Sequence, residues 1–241
     1  MRRLMMLELR RTSLRPYWRA ACWIALGLLA AYALMGAIPA VSASQGEPLD
    51  PADLELVGSW PGLIRMNAVL SMVCFSVFSA VLGDRLVARE YRGRRAVLLL
   101  SYPTSRRAVV WAKCGLVFGV TAVACLAATL GCFCAFALAA VPLGLLPQAL
   151  TAGDVGALAV SALPMSVLAA SVGLLAARAG FWKRSTAAAV VTSLLLVSLC
   201  SNLLVAVADP GVLLAFTGLF LAAALLACGS LANAAEAMEA L

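Results

Sequence analysis

CGLVFGVTAVACLAATLGCFCAFALAAV, Cys114–Val141, runs for 28 residues without one Asp, Glu, Lys or Arg. Crossing about 30 Å of hydrocarbon at 1.5 Å rise per residue takes about 20 apolar residues. In lipid an α-helix satisfies its own backbone polar groups, so this stretch reads as a membrane span. Five more stretches qualify: Ala20–Ile38, Met66–Gly83, Val155–Ala177, Thr186–Val207 and Gly211–Leu231. The third span exceeds one crossing and is expected to tilt or to start inside the interface. Pro164 removes an intrahelical bond from the fourth and is expected to kink it.

The whole chain agrees with that reading. Of its 241 residues 64% are hydrophobic and only 12% charged, against about 45–50% and about 25% in a soluble domain. No soluble surface could be covered with so few polar groups. The expected fold is an all-α polytopic membrane protein: one transmembrane domain over residues 1–241, with six helices and a short interfacial helix in the lead, 1–19.

Orientation follows from the basic residues. Arg2, Arg3, Arg10, Arg11, Arg15 and Arg19 precede the first span, and Arg178, Lys183 and Arg184 separate the fourth and fifth. Arg85, Arg89, Arg92, Arg94, Arg95, Arg106, Arg107 and Lys113 lie between the second and third. Only Arg65 falls on the other side, beside Glu47, Asp50, Asp53, Glu55, Asp154 and Asp209. The positive-inside rule then puts both termini in the cytosol. The five tryptophans, Trp18, Trp23, Trp60, Trp111 and Trp182, fall near span ends, as interfacial anchors do. The formal charge of +7 reads as orientation and contact with anionic lipid, with no basic domain for nucleic acid. Val41-Ser42-Ala43-Ser44 imitates a signal-cleavage site. The apolar run and its basic lead are long for a signal peptide, so the first span is expected to stay uncleaved.

Composition narrows the chemistry. Histidine is absent, which removes imidazole bases and ligands. The eight cysteines lie in or beside apolar runs and read as small packing residues; no metal site is expected. The six span cores hold no ionisable Asp, Glu, Lys or Arg, which disfavours ion-coupled transport and intramembrane catalysis. Their polar groups are mild: Ser71, Ser76, Ser79, Thr121, Thr129, Ser161, Ser166, Ser171, Ser193, Ser198 and Asn202. No G-x-x-x-x-G-K-[ST] loop occurs in the 241 residues. The chain is therefore expected to be non-catalytic, and either passive or driven by a partner.

The connector between the second and third spans, residues 84–113, is DRLVAREYRGRRAVLLLSYPTSRRAVVWAK. A short helix is expected around Asp84–Tyr91, a turn at Gly93, and a second short helix before the Ser101-Tyr102-Pro103 break. Thr104 or Ser105 can cap the third span. Apolar residues among charges fit a docking surface. The same composition also fits a loop lying on lipid headgroups.

From Glu90 to Lys113 this connector resembles the loop between the second and third spans of type-2 ATP-binding-cassette (ABC) exporter permeases. Glu90, Leu98, Leu99, Leu100, Pro103, Ser105, Arg106 and Lys113 stand in that family's order and spacing, with Tyr91 and Arg94 in the same coupling segment. Leu7-Glu8-Leu9-Arg10-Arg11-Thr12 looks like the family's interfacial helix. The resemblance implies a permease subunit of the bacterial plasma membrane. It would pair with a second permease, same or related, and dock its connector on a separate cytosolic ATPase that binds ATP-Mg. No cofactor of its own is implied. The family's re-entrant helices between the fifth and sixth spans have no counterpart in the short Ala208-Asp209-Pro210 link. That departure favours an amphipathic or lipophilic cargo, such as an antimicrobial peptide, a drug or a lipid-like molecule, over a polysaccharide.

Individual residues have plainer readings too. Glu90 could pair locally with Arg94 at i, i+4. Lys113 could snorkel to the interface, and Arg65 could anchor at the other one. Gly115 and Gly119, spaced as G-x-x-x-G, are candidates for a contact between permease copies. Phe181 and Trp182 form a second basic turn expected to anchor in lipid. The competing functional reading is a solute-binding membrane subunit or passive carrier for a small compound.

Overall fold

The computed structural model describes residues 14–46, 50–88, 106–146, 148–206 and 210–237. The elements are α1 (Arg15–Gln45), a short α2 (Pro51–Val57), α3 (Trp60–Gly83), a π-helical turn (Asp84–Ala88), α4 (Arg106–Leu143), α5 (Ala152–Trp182), α6 (Thr186–Ala206) and α7 (Pro210–Ala237). No strand occurs among the described residues. Five helices are long and apolar enough to cross a bilayer: α1, α3 with its π turn, α4, α5 and α7. The described apolar part of α6, Thr186–Ser201, is shorter. The all-helical expectation and the membrane-compatible helices are therefore observed.

The helices overrun the bounds expected from hydropathy. α3 starts at Trp60 and α4 at Arg106, because charged and aromatic residues at a span end continue a helix where apolar counting stops. α1 carries helical structure from Arg15 through Pro39 to Gln45. The lead helix expected before it falls on residues outside those described. α2, in the acidic link between the first two spans, was not expected; its seven residues lead directly into the start of α3. Pro164 is buried inside an unbroken α5.

Capping residues explain where several helices begin and end. Ser59 Oγ accepts from Gly62 N at 3.1 Å to open α3, with Pro61 in its first turn. Thr151 and Asp154 form a reciprocal capping box at the start of α5, Thr151 N donating to Asp154 Oδ2 at 2.9 Å. At the end of α4, Leu145 N donates to Ala140 O and Gly144 N to Val141 O, with Gly144 at φ +59°. That is a Schellman stop, and glycine is the residue that adopts this φ without a Cβ penalty.

α3 and α5 form the enclosed centre, while α1 and α7 expose most of their apolar surface. The two central helices run side by side in the same direction: Gly173 lies against Ser79, and Gly83 against Ala177 four residues further along each helix. Ala80 and Ala176 meet Ala189 of α6 in a small alanine cluster. Small residues let backbones approach where lipid supplies no hydrophobic drive for association.

At the far end from the connector, Tyr32, Trp60, Leu63, Ile64, Phe133 and Phe136 build a second cluster. Trp60 is buried at 1% exposure and donates its indole N–H to Gln148 O at 2.9 Å. It is a packed core residue, not the interfacial anchor expected from its place at a span end. Trp18, Trp23 and Trp182 are exposed, as anchors would be.

Candidate functional site

Sequence reasoning places the site in the connector, and the structure describes only its two roots. Glu90, Tyr91, Arg94, Leu98, Leu99, Leu100, Pro103 and Ser105 lie outside the described residues, as do the Gly93 turn and the second short helix; of the first, expected around Asp84–Tyr91, residues 84–88 are described. Arg106 is the first residue of α4. Lys113 lies two turns further along α4 and is 4% exposed. It is packed within the bundle at the cytosol-proximal end expected for the connector, eight positions into the sequence of α4.

The other root is the larger departure. Asp84 was expected at the start of a short helix in the charged connector. It is instead fully buried at 0% exposure, in a π turn that prolongs α3, with Leu86 and Val87 buried beside it. Its backbone N–H is shared between Ala80 O and Val81 O. Its Oδ2 accepts a hydrogen bond from Thr186 Oγ1 at 2.6 Å. Thr186 is the first residue of α6, where the unpaired amides and helix dipole favour a negative charge. A carboxylate is tolerated at such depth only with polar partners, and α6 supplies this one.

A tight turn fixes Thr186. α5 ends with Ser185 N donating to Gly180 O at 3.1 Å and Arg184 N to Phe181 O at 3.2 Å. Arg184 occupies the left-handed position at φ 50°, the Schellman place usually held by glycine. Gly180 lies so close to Ala189 that an added Cβ would stand 2.7 Å from that residue's Cβ. Asp84, Lys113 and Thr186 therefore join the connector roots to the enclosed part of the bundle. Lys113 was among the residues expected at the site, whereas the sequence did not mark Asp84 or Thr186 as buried partners. The signals within reach were Leu86-Val87, apolar directly after Asp84, and Thr186, polar at the head of an apolar run.

Several interior hydroxyls bond within their own helix: Ser76 Oγ donates to Met72 O at 2.7 Å, Thr129 Oγ1 to Cys125 O at 2.9 Å and Ser171 Oγ to Val167 O at 2.8 Å. Others, Ser71, Ser79, Thr121 and Ser193, are buried with no hydrogen-bond partner among the described residues. Asn67 instead crosses from α3 to α4, donating Nδ2–H to Thr129 O at 3.0 Å. Cys114, Cys125, Cys132, Cys200 and Cys228 are buried thiols, in line with a packing role. No group of three or more potential metal ligands occurs among the described residues. Gly115 and Gly119 are half-buried on α4, and Gly119 has open space where its Cβ would be. Comparison with protein-family models, curated proteins and solved structures finds no match to this chain.

Proposed function

We propose that this chain is the membrane-spanning permease subunit of an ATP-driven ABC exporter, with six spans and both termini in the cytosol. It would move an amphipathic or lipophilic substrate with energy from a separate ATPase. The observation that carries the reading is the connector: Glu90 to Lys113 resembles the ATPase-docking loop of type-2 exporter permeases in residue order and spacing.

Three further features support it. Nearly all the Lys and Arg fall on the side of a six-span topology that carries this connector, which is the cytosolic side by the positive-inside rule. α6 has 21 residues, which at 1.5 Å each rise about 31 Å, enough for a sixth crossing. The connector springs from two helices whose ends are seated in the bundle through Asp84 and Lys113. A push on such a loop reaches the spans directly. A second permease copy completes the transporter, with Gly115 and Gly119 on α4 as contact candidates, in a bacterial plasma membrane.

The test is co-purification of the full chain with the ABC ATPase encoded nearest to it, followed by permease-dependent ATP hydrolysis in nanodiscs. Glu90→Ala and Pro103→Ala are expected to weaken the complex at least fivefold. Absence of any complex with the wild-type chain, or efflux that persists without an ATP-consuming partner, would overturn the reading.

A further inference from the structure

The connector's roots raise a question about transmission: which span moves first when the connector is displaced? Asp84 and Lys113 are both buried, at 0% and 4% exposure. Neither root can shift without disturbing the bundle. Asp84 sits in a π turn, an i→i+5 insertion that can revert to α-helix by a small change of register and recurs at functional sites. Its carboxylate is held by Thr186, 102 positions away in sequence and on a different helix.

Steric freedom is distributed unevenly around this link. α3 and α5 are closely interlocked, Ser79 filling the space beside Gly173 and Ala177 the space beside Gly83. α6 packs chiefly on α3 and α5. Its opposite face, with Val191, Leu194, Leu195 and Leu199, is exposed and apolar. α6 is thus a neighbour of α3 with an open outer face, and its first turn is tied to the connector root by a side-chain hydrogen bond.

We propose that Asp84 and Thr186 form the joint that transmits displacement of the connector into α6. Asp84 is a positioning residue: it carries the movement of the π turn to Thr186, and α6 is the driven helix. The inference deepens the exporter reading and rests on it for the physiological source of the push, but the mechanical link can be measured without an ATPase.

The first arm uses the full chain in nanodiscs and an antibody fragment raised against the 92–105 peptide as the displacing ligand. Hydrogen exchange of 186–192 is the readout. Fragment binding is expected to change exchange there at least fivefold in the wild type and less than twofold in Thr186→Val, which keeps the side-chain shape but removes the hydroxyl. Thr186→Ser is expected to restore the response. Thr186→Ala serves as a second deletion should the valine variant fail to fold, judged by its thermal unfolding midpoint. No response in the wild type, or an equal response in the hydroxyl-deleted variant, overturns the joint.

The second arm adds the ATPase. Thr186→Val is expected to form the complex like the wild type, yet to lose at least fivefold in substrate moved per ATP hydrolysed. Equal coupling in the two also overturns the joint. A positive first arm with no ATPase complex for the wild type leaves the joint standing and sinks the exporter reading instead.

Discussion

Ser79 of α3 and Gly173 of α5 meet so closely that no carbon fits between them: a Cβ on Gly173 would run into both side-chain atoms of Ser79 and come within 3.0 Å of its backbone carbonyl carbon. Van der Waals contact between close backbones is the main attraction left to helices in lipid, and the seam spans at least one turn, since Gly83 meets Ala177 in the same way. Gly173→Ala is expected to destabilise the bundle by about 1–3 kcal/mol, the range for overpacking, in thermal or denaturant unfolding in detergent. Gly119→Ala serves as the contrast, since nothing lies within 4 Å of its added Cβ. It should change stability by less than about 0.5 kcal/mol or raise it through helix propensity. Equal behaviour of the two variants would contradict the seam. Because Gly119→Ala spares the fold of one copy, a loss of self-association in that variant would report directly on a contact between copies.

Trp60 is expected to be far less replaceable than the exposed Trp182. Its ring packs edge-on against Phe133 and Phe136, each at a centroid separation of 6.1 Å, and its N–H reaches Gln148 O. Trp60→Phe should lose about 1 kcal/mol with the hydrogen bond, and Trp60→Ala about 3–5 kcal/mol through the cavity it opens. Trp182→Ala, at a side chain 87% exposed, should leave the unfolding midpoint of the detergent-solubilised protein unchanged.

These pairs mark how far the sequence could be read. The spans were legible because length and apolarity are local properties: Cys114–Val141 needs no tertiary context to be assigned. The capping box at Thr151 and Asp154 is equally local, but a hydropathy reading passes over it. Asp84 was illegible for a different reason. In D-R-L-V-A-R-E it looks like the first residue of a charged loop, and only the π turn and the arrival of Thr186 bring it inside. Trp60 carries the same lesson, since its indole N–H finds its acceptor on a carbonyl 88 positions away. The seam was partly visible: Gly173, Ala177 and, one residue offset, Ala176 and Gly180 repeat small residues every four positions. The G-x-x-x-G at Gly115 and Gly119 drew attention instead, because its two glycines match the motif by name.

Asn67 supplies an interhelical side-chain hydrogen bond between α3 and α4. Such bonds in membrane bundles average about 0.6 kcal/mol and reach about 1.7 kcal/mol. Asn67→Ala should therefore lower stability by about 1 kcal/mol in unfolding from mixed micelles, less than Gly173→Ala at its upper range. A loss above about 3 kcal/mol would mean that Asn67 has a further partner in the interior.

Two helix stops use the same hydrogen-bond pattern with different residues, which gives a matched test. At the end of α4 the left-handed position is Gly144, at φ +59°; at the end of α5 it is Arg184, at φ 50°. A side chain in that conformation carries a penalty of about 1–2 kcal/mol that glycine escapes. Gly144→Ala is expected to destabilise by about 1 kcal/mol, whereas Arg184→Gly should gain roughly the same, less the extra freedom glycine has in the unfolded chain. The two variants should move the unfolding midpoint in opposite directions. The sign at Arg184 also bears on function, since the same turn delivers Thr186 to Asp84. If Arg184→Gly stabilises the fold and leaves the response of 186–192 to connector displacement intact, the backbone of the turn suffices to seat the joint. If it stabilises the fold but abolishes that response, the Arg184 side chain itself holds the start of α6 in place.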